Sequence, residues 1–149
     1  MKIDEVLRKK GSRIVSVRID STVEQTARIL RKENIGAVVV KDVFGSEGDT
    51  VVGMFSERDV VRALVDDGFN AMQKPVWSLM AKSVISCSAN DDVEHALELM
   101  DRYHIRHMPV LEDHHLIGVI SIRDLALIRS GASASALPEQ SVDTLRAAH

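Results

Sequence analysis

The chain has 149 residues, 45% of them hydrophobic, which is enough to bury the core of one ordinary domain and excludes disorder over most of its length. Nineteen Lys and Arg residues against 22 Asp and Glu residues give a net charge of −3. This charge excludes a general nucleic-acid coat, because nonspecific binding to polyphosphate backbones requires a strong positive field.

The N-terminal sequence MKIDEVLRKKG carries charges where a secretory signal has an apolar run. No apolar stretch approaches the roughly 20 residues that span a bilayer. The single cysteine, Cys87, cannot form an intramolecular disulfide and is expected to be a small buried residue. We therefore expect a cytoplasmic protein that does not insert into a membrane.

The first half of the chain predicts, in order, a strand, a helix, two strands and a helix. Alternation over residues 15–19 indicates a strand, and Thr22 is an N-cap candidate for an amphipathic helix of about twelve residues. Apolar residues 37–40 and 51–55 predict two further strands. Ser56 precedes the second helix.

The second half repeats this pattern. Residues 14–42 align without a gap over residues 84–112, and residues 51–61 align over residues 116–126 after a loop that is five residues longer in the first copy. The second copy therefore predicts a strand at 84–87, a helix with Asp92 as its N-cap, strands at 108–111 and 116–120, and a helix after Ser121. Four identities anchor the later alignment: Gly53/Gly118, Ser56/Ser121, Arg58/Arg123 and Asp59/Asp124.

One copy of about 60 residues buries too little surface to be stable alone. We therefore expect an α+β fold in which tandem β-α-β-β-α repeats pack as a pseudo-twofold pair. The boundaries are 1–68 for the first repeat with a leading turn, 69–75 for a connector and 76–129 for the second repeat. Residues 130–149 are expected to be a flexible tail or a short helix.

The duplicated Ser and Asp have two interpretations. Their S-x-x-D spacing before an apolar run is typical of a capping box, in which each side chain binds a backbone N–H at the start of the helix. The same position also suits an anion, because a helix N-terminus presents free N–H groups. A carboxylate one turn inside can accept from two vicinal hydroxyls of a ribose, and an adjacent Arg can bind phosphate. The spacing alone leaves both interpretations open.

The two stretches GMFSERD and GVISIRD, with IGAVVV and IRHMPV at equivalent positions, resemble the cystathionine-beta-synthase (CBS) domain pair, or Bateman module. The resemblance extends from residue 3 to about residue 129. It implies two β-α-β-β-α repeats that bind adenosine nucleotides in the clefts between them. It also implies a homodimer formed through the helices, and a regulatory module that acts on a separate, unidentified protein.

By this resemblance, Asp59 and Asp124 hold ribose hydroxyls in two clefts. The implied ligand-binding residues are Ser56, Arg58, Ile85 and Ile105 for the Asp59 cleft, and Ser121, Arg123, Val15 and Ile35 for the Asp124 cleft. The second repeat also carries Arg106 and His107 at positions that often approach phosphate, where the first has Gly36 and Ala37. We therefore expect the Asp124 cleft to be the better phosphate site. Ala81 stands where many family members have Thr, so the Asp59 cleft lacks one hydroxyl.

The ligand expected first is AMP, with ADP, ATP and NAD(H) as alternatives. No metal is expected, because the histidines at 104, 107, 114 and 115 have no fixed mutual geometry and no Cys or carboxylate cluster completes a set of four ligands. No catalysis is expected either, since G-x-S-x-G, H-E-x-x-H and a P-loop Lys are all missing. The alternative function is a structural dimerisation module whose ligand clefts are degenerate.

Overall fold

The computed structural model describes residues 1–11, 13–43 and 49–130, which form five α-helices, five strands and two 3-10 segments. The helices are α1 (Ile3–Lys10), α2 (Val23–Glu33), α3 (Glu57–Asp67), α4 (Val93–Tyr103) and α5 (Ile122–Arg129). The strands are β1 (Ser16–Arg18), β2 (Ala37–Val43), β3 (Asp49–Ser56), β4 (His107–Glu112) and β5 (His115–Ser121), and two 3-10 segments cover Gly68–Gln73 and Val76–Ser78. The tail predicted from residue 130 onward lies, after Ser130, outside the described residues.

The first repeat forms the predicted β-α-β-β-α unit. β1 runs parallel to β2, and β2 runs antiparallel to β3. The N-cap prediction at Thr22 is confirmed, because its Oγ1 accepts a hydrogen bond of 3.1 Å from the backbone N–H of Gln25. Helix α2 ends at Asn34, which adopts the left-handed conformation that short polar side chains tolerate.

The second repeat departs from the prediction at its first strand. The strand predicted at residues 84–87 is wrong: only Cys87 makes a bridge, parallel to Val110 of β4. In the first repeat the N–H of Val39 donates to the carbonyl of Val15 and extends the pairing. The residue aligned with Val39 is Pro109, which has no N–H, so this hydrogen bond has no counterpart.

The predicted N-cap at Asp92 is correct in position and wrong in chemistry. Asp92 precedes helix α4, but its side chain makes no capping hydrogen bond. Its carboxylate instead lies 2.9 Å from the ammonium of Lys2. The N-terminal segment therefore contacts the second repeat at the start of its first helix.

The segment that leads each repeat packs on the other repeat. At the start of α1, the N–H of Ile3 donates to the carbonyl of Asp91, and the N–H of Val93 donates to the carbonyl of Met1 just before the helix. The corresponding bonds in the other half run from Val76 to Ser21 and from Val23 to Lys74. A pair of backbone hydrogen bonds thus joins the first leading segment to the start of α4 and the second leading segment to the start of α2.

The two hydrophobic cores reflect this exchange. Ile3, Val6 and Leu7 of α1 are buried with side chains of the second repeat, whereas Val76 is buried with side chains of the first. Met100 and Met108 are almost fully buried in the second core. No helix within the described residues is long and apolar enough to cross a bilayer.

Two aligned glycines allow the leading segments to approach the sheets. A Cβ at Gly53 would lie 2.5 Å from Met80 Sδ and 2.8 Å from the carbonyl oxygen of Ala81. A Cβ at Gly118 would lie 2.6 Å from Leu7 Cδ2. The closely approaching atoms therefore belong to the protein itself: they include backbone at Gly53 and are the end of a flexible side chain at Gly118.

This difference predicts unequal effects of two matched substitutions. Gly53→Ala should lower the free energy of unfolding by about 1–3 kcal/mol, the usual cost of overpacking, because the Ala81 carbonyl is backbone and cannot turn aside. Gly118→Ala should cost less, because the Leu7 side chain can change rotamer. Urea unfolding of both variants measures the difference, and equal losses would contradict this account of the two contacts.

Candidate functional site

Both repeated Ser–Asp pairs form capping boxes, as one of the two interpretations predicts. At the start of α3, Asp59 N–H donates to Ser56 Oγ at 3.3 Å, and Ser56 N–H donates to Asp59 Oδ2 at 2.9 Å. At the start of α5, Asp124 N–H donates to Ser121 Oγ at 3.1 Å, and Ser121 N–H donates to Asp124 Oδ2 at 2.8 Å. The boxes engage Oδ2 of each carboxylate and hold it at the mouth of its helix.

A cavity of about 610 Å³ opens beside Asp59. Its walls come from both repeats: the β3–α3 junction on one side and the segment from the end of α4 to the start of β4 on the other. The lining residues are Gly36, Ala37, Met54, Ser56, Glu57, Arg58, Asp59, Val61, Arg62, Ala81, Tyr103, His104, Ile105, Arg106 and His107. The structure therefore brings together Ser56, Arg58, Asp59 and Ile105, four of the residues that the family resemblance implies for this cleft.

The cavity wall carries more positive than negative charge. Arg58, Arg62 and Arg106 face two carboxylates, those of Glu57 and Asp59. The three arginines are exposed, so their guanidinium groups can move to meet an anion. Asp59 is largely buried, and its Oδ1 lies 3.8 Å from Arg62 Nη1.

Arg106 and His107 line the Asp59 cavity, which corrects their assignment to the Asp124 cleft. The backbone of Arg106 does lie beside the second cleft, because its carbonyl accepts from the N–H of Ile122 at the start of α5. Side chains of this segment reach the opposite repeat, however. The expectation that Asp124 has the better phosphate site therefore loses its basis, since it rested on these two residues.

His107 lies where the two repeats meet. A Cβ at Gly36 would be 2.8 Å from His107 Cε1, so the glycine of the first repeat makes room for the imidazole of the second. Burial lowers the pKa of His107 below its ordinary value, and the nearby Lys10 ammonium lowers it further. Asp124 opposes that shift, and Arg106 adds a smaller decrease.

A second depression, of about 480 Å³, lies next to the first. It contains Arg123 together with Ile35 and Gly36, so two residues predicted for the Asp124 cleft share one wall. Val15 and Ile85, predicted to sandwich a base, are half-buried against the two hydrophobic cores. The structure does not place these two among the lining of either depression.

The Asp124 carboxylate already has a cationic partner. Lys10, the last residue of α1, places its Nζ 2.5 Å from Asp124 Oδ2 and 2.5 Å from the carbonyl oxygen of Val119. Sequence reasoning missed this contact, because Lys10 lies directly before the first repeat in the chain, whereas Asp124 belongs to the second. Only the exchange of leading segments brings it to the second repeat.

The sequence analysis also missed Arg62, Tyr103 and His104 as residues of the cavity. Arg62 carried a usable signal: it follows Arg58 by four residues on the same helix, and residues with this spacing share a face. His104 ends α4 in the left-handed conformation, and this places it at the cavity edge. Nothing in its sequence context indicates that position.

The described side chains form neither a metal site nor a reactive thiol. Within the described residues, no group of three or more His, Cys, Asp or Glu side chains is arranged to hold a metal ion. Cys87 is buried as predicted, and burial raises the pKa of its thiol to about 12, so it stays protonated at neutral pH.

Comparison with known proteins agrees with this architecture. The family profile described as CBS domain matches residues 3–66 and 76–131. A CBS-domain containing protein from Agrobacterium tumefaciens superposes with a TM-score of 0.81 at 36% identity, over 87% of this chain and 99% of that one. The CBS domain-containing protein YhcV of Bacillus subtilis is 27% identical over 116 residues, which is 78% of this chain and 79% of its own.

A third relative was solved with ligands. It is a CBS domain pair in complex with 5′-methylthioadenosine and S-adenosyl-L-methionine, with a TM-score of 0.75 at 21% identity, over 88% of this chain and 97% of that one. At this identity the likeness concerns the fold. The matches to both repeats establish that the chain belongs to the CBS domain family.

The surroundings of His107 predict a pH dependence of stability. Because its pKa in the folded state lies below the ordinary 6.5, the unfolded chain binds more protons between these two values. The free energy of unfolding should therefore fall as the pH is lowered from 7 through 6.5, and His107→Gln should reduce that slope. Urea unfolding between pH 5 and 8 measures it. His115→Gln, at an exposed position, is the control, and an unchanged slope in His107→Gln would contradict the prediction.

Proposed function

We propose that this protein binds an adenine nucleotide in the Asp59 cavity and regulates a separate protein through the change that binding produces. The observation that carries the proposal is one cavity, shared by both repeats, in which a fixed carboxylate lies among three arginines. Its volume of about 610 Å³ falls within the roughly 300–1,000 Å³ typical of small-molecule sites.

Each part of a nucleotide has a matching group in this cavity. Asp59 can accept from the two ribose hydroxyls, because the capping box fixes its carboxylate without using both oxygens. The α3 N-terminus and Ser56 can donate to a phosphate, and Arg58 can form a paired hydrogen bond with it. Ile105 supplies an apolar surface for the base.

The ligand complex of the related CBS domain pair supports the adenosine part of this proposal. AMP, ADP and ATP share that part and differ in phosphate number. The exposed guanidinium groups of Arg62 and Arg106 could meet additional phosphates, and NAD(H) remains an alternative. We propose a regulatory rather than a catalytic role, and binding can shift a conformational equilibrium only by the difference in affinity between two states.

Asp59→Asn tests the site. The neutral amide keeps the shape of the capping side chain and loses the charge that favours the ribose hydroxyls, so affinity should fall by about tenfold or more. Isothermal titration with AMP, ADP, ATP and NADH measures the loss and ranks the ligands. Asp66→Asn, at an exposed position of the same helix, is the matched control. Unchanged affinity in Asp59→Asn would overturn the assignment.

The alternative, a structural module with degenerate clefts, is favoured by one observation: both carboxylates already serve as helix caps. Thermal unfolding with the same nucleotides separates the two functions. A ligand at 100 times its dissociation constant adds about 2.7 kcal/mol to stability. No change in the unfolding temperature with any of the four nucleotides would favour the structural module.

We further propose that the protein is a homodimer that buries the exposed face of α3. Val61 and Val65 lie four residues apart on α3 and are 60% and 80% exposed, and Phe69, in the 3-10 segment that follows the helix, is 89% exposed. Such exposed apolar side chains are typical of a contact surface, and a twofold axis lets this surface pack on its own copy. The second depression described above, of about 480 Å³, is lined in part by Ala27, Leu30 and Val60 and adjoins this surface at Val61.

Val65→Glu should convert the dimer into a monomer, because the dimer would have to bury the new carboxylate. Light scattering after gel filtration measures the mass, and Asn90→Glu, at an exposed position outside the helices, adds the same single charge as a control. A wild-type protein that has the mass of one chain at working concentration would contradict the dimer.

A further inference from the structure

The Asp59 cleft, here the first cleft, and the Asp124 cleft, here the second, differ in the group that hydrogen-bonds to the neighbouring strand. At the first cleft, the backbone of Ala81 bridges β3: its N–H donates to the carbonyl of Met54, and the N–H of Met54 donates to its carbonyl. At the second cleft the residue aligned with Met54 is Val119. Its carbonyl accepts instead from the side chain of Lys10, and the same ammonium binds Asp124.

Local structure explains this difference. The segment that packs beside the first cleft, residues 76–81, ends its 3-10 turn at Ser78, and its backbone at Ala81 pairs with β3. The segment that packs beside the second cleft is α1, which stays helical through Lys10, so that its backbone groups bond within the helix. A long side chain therefore reaches the strand edge, and its ammonium lies between the carbonyl of Val119 and the carboxylate of Asp124.

The position of this ammonium matters for binding. A ribose held by Asp124 must donate hydroxyl hydrogen bonds to the carboxylate, and Oδ2 already accepts from both Ser121 N–H and Lys10 Nζ. At Asp59, Oδ2 accepts from the N–H and the hydroxyl of Ser56, and Arg62 lies 3.8 Å from the other oxygen and is exposed. A bound ammonium thus competes with the hydroxyls of a sugar at Asp124, whereas the groups on Oδ2 of Asp59 belong to its own capping serine.

We propose that Lys10 is the specificity-determining residue that makes the clefts unequal: its ammonium occupies Asp124, so each chain binds one nucleotide, at Asp59. A nucleotide enters the second cleft only when the ammonium leaves. Its apparent affinity there is reduced in proportion to the fraction of molecules in which Asp124 is released. This inference rests on the proposed function and adds to it which cleft binds and why.

The experiment counts bound nucleotides. ATP and AMP are titrated calorimetrically into four proteins. These are the wild type, Lys10→Met, Asp59→Asn, and the double variant that carries Lys10→Met and Asp59→Asn. Met keeps the apolar stem of Lys10 without its charge. The wild type should bind one nucleotide per chain and Lys10→Met two, and Lys10→Met should restore binding to Asp59→Asn.

Lys9→Met removes the same charge from an exposed position of the same helix and should bind one nucleotide per chain. Circular dichroism checks that each variant is folded, and Lys10→Ala replaces Lys10→Met if the latter does not fold. Two nucleotides per wild-type chain, or one per chain in Lys10→Met, would overturn the role of Lys10 and leave the proposed function standing. Absence of binding in every variant would overturn the proposed function, and the role of Lys10 with it.

Discussion

The exchange of leading segments is the constraint on which the rest of this structure depends. Neither hydrophobic core is complete without residues that precede the other repeat: Ile3, Val6 and Leu7 close the second core, and Val76 closes the first. Each segment can approach because the third strand it covers carries a glycine at the contact. The two repeats therefore stabilise each other, which answers the problem that about 60 residues bury too little surface to be stable alone.

The same exchange produces the asymmetry between the clefts. Two segments with equivalent places in the fold differ in local structure, one being an α-helix of eight residues and the other a single 3-10 turn. The extended chain after the 3-10 turn satisfies the strand edge with backbone, whereas the helix satisfies it with an ammonium. A duplicated sequence motif can thus hold two carboxylates in the same geometry and leave them in different electrostatic surroundings.

The capping box and the ligand site are compatible uses of the same side chains. A helix N-terminus needs acceptors for its free N–H groups, and Ser56 with Asp59 supplies them before any ligand arrives. This local hydrogen bonding fixes the carboxylate and so reduces the entropy that a ligand would lose by ordering it. A motif that stabilises the fold by about 1 kcal/mol per cap can therefore also prepare a binding site.

The sequence by itself determined the repeat and most of its helices and strands, and it offered the two capping boxes as one of two interpretations, because these features depend on residues close together in the chain. It also grouped Ser56, Arg58 and Asp59, which lie at the N-cap and in the first turn of one helix. Only the tertiary structure decided that Arg106 and His107 line the cavity beside Asp59, and that Lys10 meets Asp124 across 114 positions. These depend on which repeat each segment packs against, and local periodicity carries no information about that choice. The missing strand at Cys87 lies between the two cases, since its cause, Pro109, is visible in the sequence but acts only through its pairing partner.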